Sequence, residues 1–133
     1  MILAVNTSSE QIEIRLIKLN SGETVEVENQ IWPADRTLSD ILLPNILGLL
    51  GCQQLNLSNL NGLIMYKGPG GYTALRIAAS ILNTLADQMR IPIIGVSGSN
   101  WLEDGLIKLK AGGNDKIVLP VYARGARITQ PIK

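Results

Sequence analysis

The 133 residues contain no histidine and no phenylalanine, and cysteine occurs once, at Cys52. Without histidine there is no His-dependent triad, no imidazole acid–base catalysis and no support for most transition-metal sites. Two Trp and three Tyr are the only aromatics, so platforms for stacking nucleic-acid bases are poorly supplied. A single thiol forms neither an internal disulfide nor a thiolate zinc site, a usage that suits a reducing compartment. Cys52 follows an apolar, helix-like run and is expected to be a buried structural thiol. Twelve Lys and Arg against 11 Asp and Glu leave a net charge of +1, which supplies no long-range grip on nucleic acid or membrane. The longest apolar run, Ile41 to Leu50, contains Pro44 and Asn45 and is far too short to span a bilayer. The opening MILAVNTSSE turns polar at Asn6, too early for the apolar region of a signal peptide. The expectation is a soluble cytoplasmic chain with no membrane partner.

What is present is ordinary globular composition, 46% hydrophobic and 17% charged, at a length that fits one domain. Ile2 to Val5 reads as a buried central strand. Ile12, Ile14 and Leu16, then Val25, Val27 and Ile31, alternate with period two, and Asn20-Ser21-Gly22 between them is a turn signal. A helix follows with Leu38, Ile41, Leu42, Ile46, Leu49 and Leu50 at helical spacing. Thr37, Ser39 or Asp40 can cap it, Pro44 should start a new turn or kink it, and Gly51 should end it. Gly62 to Tyr66 is a second core strand, Tyr72 to Met89 a long helix, and Ile93 to Val96 a third core strand. Trp101 to Leu109 is a further helix, and Ile117 to Val121 reads as a last strand. Helical crossovers demand parallel strands, so the sheet is mixed. The architecture expected is α/β in the ribonuclease-H-like layout, with flanking helices and a mixed five-stranded sheet drawn from these six segments.

Four segments carry a resemblance. ILAVNTS, Ile2 to Ser8, is similar to ILAIDTS, and GPGGYTALRI, Gly68 to Ile77, to GPGSFTGLRI. IPIIGVSGSNWLEDG, Ile91 to Gly105, is similar to IPLVGVSSLEALA, and the helix LSDILLPNILGLL shares an LLP. In this order they resemble the TsaB (YeaZ) family, the paralogue of the TsaD (Gcp) proteins within the actin/hexokinase superfamily. The resemblance runs from Met1 to about Gly105 and weakens beyond. It implies a single ribonuclease-H-like lobe over residues 1–122, with residues 123–133 as a tail that is the truncated start of the family's second lobe. One lobe cannot close around ATP, so no nucleotide or metal is expected on this chain alone and no catalytic residue is assigned. The pattern has an acid where this chain has Asn6, and an amide neither holds magnesium nor takes a proton. TsaD-type proteins carry metal-binding histidines on their first helix, which this chain lacks. The implied role is a non-catalytic partner of a TsaD-type protein in threonylcarbamoyladenosine modification of adenosine 37 in tRNA. A TsaE-type ATPase joins the complex, which uses ATP and magnesium; tRNA is met only through the complex, and a homodimer is open to the chain when it is alone. The alternative is an independent small ATPase or phosphotransferase of the same superfamily.

Residue by residue, Gly68, Gly70 and Gly71 between strand and helix either let backbone amides approach a phosphate, with Thr7 and Ser8 opposite, or simply form a tight turn. Arg76, one turn into the helix, pairs with an anion or a partner's carboxylate, or is merely solvated. Arg76, Ser80, Asn83, Asp87 and Arg90 make one narrow polar stripe, which leaves an apolar arc of roughly 200°. Either the first helix and the sheet cover that arc, or part of it meets another chain. The partner surface expected is Ile77, Ala78, Ile81, Leu82 and Leu85.

Overall fold

The computed structural model describes residues 1–8, 11–20, 23–33 and 38–122, with the backbone alone of Asn20. Strands β1 (Ile2–Asn6), β2 (Gln11–Asn20) and β3 (Glu23–Pro33) form an antiparallel meander. Strands β4 (Gly62–Tyr66) and β5 (Ile93–Val96) join β1 in parallel, so the sheet is mixed and five-stranded in the order β3-β2-β1-β4-β5. Helices α1 (Leu38–Cys52) and α2 (Tyr72–Met89) pack on one face and α3 (Trp101–Lys110) on the other. This is the α/β lobe of the actin/hexokinase type that the element order calls for.

Alternation decides which side chain meets which layer. Leu3, Val5, Ile12, Ile14, Leu16, Leu63, Met65 and Ile93 face α1 and α2, while Ile2, Ala4, Ile17, Ile64, Ile94 and Val96 face the α3 side. β1 is buried on both faces, as a continuous apolar run requires. β3 departs from expectation: Val25 and Ile31 are 49% and 54% exposed, and of the three alternating residues Val27 packs on the core, as does Trp32 further along the strand. β3 is the edge strand, and the register slips opposite Leu16 and Ile17, so its alternation no longer matches a covered face. α3 covers β4 and β5 rather than β2 and β3, and there Arg15 bridges Glu13 and Glu26 at 2.5 and 2.7 Å.

Helix α1 runs unbroken through Pro44 and on past Gly51 to Cys52. Pro44 and Asp40 both lie on its exposed side, where water can serve the carbonyl that proline leaves without an amide. Cys52 is exposed rather than buried, because Leu42, Ile46, Leu49 and Leu50 already define the inward stripe and residue 52 falls outside it. Helix α2 ends where Arg90 takes a left-handed conformation, φ 55°, and Pro92 follows. Among the described residues no helix is long and apolar enough to cross a membrane. The turn at Ser21-Gly22, the cap at Thr37 and the 123–133 tail lie outside the described residues.

Residues 117–121 do not form a strand. The outer edge of β5 is already served: the Ile93 amide donates to Asn114 Oδ1 at 3.1 Å and the Gly95 amide to Asp115 Oδ2 at 2.8 Å. The Asp115 amide in turn donates to the Ile93 carbonyl at 2.8 Å. With that edge taken, the chain turns over the helix-side end of the sheet, where Val118 packs against Gly95.

Candidate partner surface and the crevice at the strand ends

The carboxyl ends of β1, β4 and β5 form the crevice where open α/β sheets bind ligands. Three loops meet there. Asn6 Oδ1 accepts from the Ser8 amide at 2.9 Å and the Ser8 hydroxyl at 2.6 Å, so the amide side chain shapes a turn. Thr7 is buried, and its hydroxyl donates to the Ala74 carbonyl of α2 at 3.4 Å. Gly68 has φ +116°, and a Cβ there would stand 2.0 Å from the Val121 carbonyl oxygen; at Gly70 it would stand 3.0 Å from Ser8 Cβ. Both glycines are therefore demanded by close packing of the chain on itself. Gly71 opens α2 with nothing within 4 Å of its Cβ position and no side-chain cap.

The backbone of this loop is largely engaged by the protein. The Lys67 amide donates to Val96 at 2.8 Å, the Lys67 carbonyl accepts from Val121 at 2.6 Å, and Ser97 Oγ donates to the Gly68 carbonyl. Gly70 bridges to Tyr122. Thr7, Ser8, Gly68, Gly70 and Gly71 are brought together, but the 118–122 segment lies across them, and the packing accounts for Gly68 and Gly70 without a phosphate. Arg76 stands apart on the exposed side of α2. Among the described residues no three His, Cys, Asp or Glu side chains gather as a metal site would require.

Asn83 holds that crossing segment, and its position in the polar stripe did not reveal this. Its Oδ1 accepts from the Val118 amide at 2.8 Å and its Nδ2 donates to the Val118 carbonyl at 3.0 Å, as a neighbouring strand would. Asn83→Leu leaves both backbone groups without partners and is expected to cost about 2 kcal/mol. Asn83→Asp keeps the acceptor alone and should fall between. Urea denaturation of the three proteins, with exchange of the Val118 amide, checks this; equal midpoints would contradict it.

The apolar arc of α2 is divided by the packing. Ala78, Leu82 and Leu85 are buried with Leu75, Ala79 and Ala86 against α1 and the sheet, so these three of the five expected surface residues point into the chain's own core. Ile77 and Ile81 are half-buried at the edge of the arc. With Ser39 of α1, Arg76 and Ser80 they line a groove of about 310 Å³. Arg76 Nη1 donates to the Tyr72 hydroxyl at 3.0 Å, its guanidinium lies 5.4 Å from the Tyr72 ring centre, and that ring packs on Tyr122 at 4.5 Å.

Beside the groove, the outward side of α1 presents Pro44, Leu47, Gly48, Gly51 and Cys52, with Leu47 44% exposed. From Ile41 to Tyr66 the sequence contains no Lys, Arg, Asp or Glu, so this exposed side carries no charge beyond Asp40. That run is the sequence signal for the surface: charged residues are depleted at the centres of protein interfaces. Gly48 and Gly51 have nothing within 4 Å of their Cβ positions, so internal packing does not require them.

A family model described as TsaD, tRNA N6-adenosine threonylcarbamoyltransferase, matches residues 27–107. The tRNA threonylcarbamoyladenosine biosynthesis protein TsaB of Escherichia coli is 33% identical over 123 residues, covering 92% of this chain and 50% of that protein. TsaB of Haemophilus influenzae is 30% identical over 123 residues, covering 92% and 49%. The solved structure of YeaZ from Pseudomonas aeruginosa superposes with a TM-score of 0.64 at 27% identity, covering 84% of this chain and 49% of that one. The chain thus spans about half the length of the curated relatives it matches.

Proposed function

The chain belongs to the TsaD family on its TsaB (YeaZ) branch, and on that footing we propose that it is a non-catalytic partner of a TsaD-type protein in threonylcarbamoyladenosine modification of tRNA. The observation that carries the proposal is the uncharged outward side of α1, where Pro44, Gly48 and Cys52 line a groove with Gln30 and Trp32 of β3; on α2, Ile77 and Ile81 line a second groove that reaches α1 at Ser39. A helix with apolar residues on its solvent side calls for a cover. Glycine inside a helix costs about 1 kcal/mol relative to alanine. Gly48 and Gly51 carry that cost with open space around them, and their flat backbone suits the close approach of a partner helix.

The chemistry of the crevice supports a role without catalysis. Asn6 spends its carbonyl oxygen on Ser8, and the loop offers hydroxyls and glycines where a magnesium–phosphate group would call for a carboxylate. In this reading the partner and a TsaE-type ATPase supply ATP and magnesium chemistry, tRNA is reached through the complex in the cytoplasm, and self-association occurs when the partner is missing.

The test is to mix the purified chain with the TsaD-type protein of the same organism. An equimolar complex on size-exclusion chromatography is expected, with no ATP hydrolysis by the chain alone. Turnover of about 1 s⁻¹ by the isolated chain would be ordinary enzyme activity and would favour the ATPase or phosphotransferase reading. Separate elution at micromolar concentrations, with the chain folded, would refute the partner reading.

A further inference from the structure

We propose that Arg76 reads the partner's charge: the protein seated on the α1–α2 surface places a carboxylate against this guanidinium, beside an aliphatic ridge in the Ile77–Ile81 groove. The inference rests on that surface being the partner face and adds the chemistry of what docks there.

Four observations carry it. Arg76 is exposed, and among the described residues no carboxylate lies within ion-pair distance of it. It is nonetheless held in place, by the Tyr72 hydroxyl at 3.0 Å and the Tyr72 ring beneath it, and Tyr72 is itself packed on Tyr122. A guanidinium positioned in this way gives up less side-chain freedom on binding, and most of its N–H donors remain unspent for a planar, two-oxygen acceptor. It also sits close to the amino end of α2, whose first turn contains no acidic residue. Among the described residues no carboxylate of that turn answers its charge, and an incoming carboxylate would.

The surroundings choose protein over nucleic acid. The groove floor beside Arg76 is Ile77 and Ile81, which suits an aliphatic side chain rather than a base. Tyr72, beside Arg76, already has its ring engaged by the guanidinium and by Tyr122. Because α1 contributes no charge but Asp40, an ion pair at Arg76 would help to set the partner's orientation on a face with few charges.

Binding isotherms with the TsaD-type partner at low and high salt test this, using the wild-type chain, Arg76→Gln, Arg76→Lys and Ile77→Glu. Arg76→Gln is expected to weaken association about tenfold at low salt and to flatten the salt dependence, with Arg76→Lys recovering part of the loss. If Ile77→Glu weakens binding while Arg76→Gln matches wild type at both salts, the charge-reading role is overturned and the surface assignment survives. If neither variant weakens binding, the surface assignment falls as well. If Arg76→Gln keeps full partner affinity but the assembled complex loses tRNA, the residue reads phosphate and the proposal is wrong.

Discussion

Ala79→Glu and Ala86→Glu are expected to unfold the chain. Ala79 and Ala86 are 5% and 4% exposed, on the inward face of α2 with Leu75 and Leu82. A glutamate at Ala79 is larger than the space available and buries its carboxylate in the core, whereas Ala86 also lines a groove with Arg90 and Lys116, so of the two Ala79→Glu is expected to cost more. Leaving one charge unpaired in a core costs about 3–5 kcal/mol, against a total stability for a domain of about 5–15 kcal/mol. Far-ultraviolet circular dichroism should show loss of helix at room temperature, or a sharply lowered urea midpoint. Wild-type spectra and midpoints would mean that this face of α2 is not in the core, and the packing of α1, α2 and the sheet would be wrong.

Ile77→Glu should have the opposite profile, with the fold intact and association lost. Ile77 and Ile81 are partly buried where they line the groove, so a glutamate at either position can turn its carboxylate into water in the free chain. In the complex it is desolvated against an apolar partner. At a central interface position the loss is at least about 2 kcal/mol, roughly thirtyfold in affinity. The measurements are dimer or complex affinity and circular dichroism on the same samples. Folded protein that binds as tightly as wild type would remove α2 from the interface and leave the outward side of α1 as the remaining candidate.

Together the four substitutions divide one helix into an inward and an outward half. The spacing of polar residues along α2 does not make that division, because the polar stripe is narrower than the exposed face: Thr73, Thr84 and Gln88 are exposed beside it. Ala78, Leu82 and Leu85 belong by composition to the same arc as Ile77 and Ile81. What separates them is α1, which lies against one flank of α2 and leaves the groove open at Ser39.

Local chemistry legible in the chain did determine most of the architecture. The apolar runs Ile2–Val5, Gly62–Tyr66 and Ile93–Val96 became the three parallel strands, and helix α2 spans the expected Tyr72–Met89. Those features depend on periodicity, turn residues and the need for helical crossovers between parallel strands, all written within short windows. The kinship with TsaB rests on four such windows in order.

Tertiary structure alone decided the rest, because each remaining feature depends on what lies next to a segment rather than on the segment itself. Residues 117–121 have the composition of a strand, but Asn114 and Asp115 take the outer edge of β5, and Asn83 captures Val118. Val25 and Ile31 alternate like buried residues but sit exposed on the edge strand of the sheet. The Gly68–Gly71 loop reads as either a phosphate-facing loop or a tight turn, and Val121 and Ser8 stand where side chains at 68 and 70 would be. A sequence specifies which groups seek partners; which partner reaches each of them first is settled by the packing of distant elements.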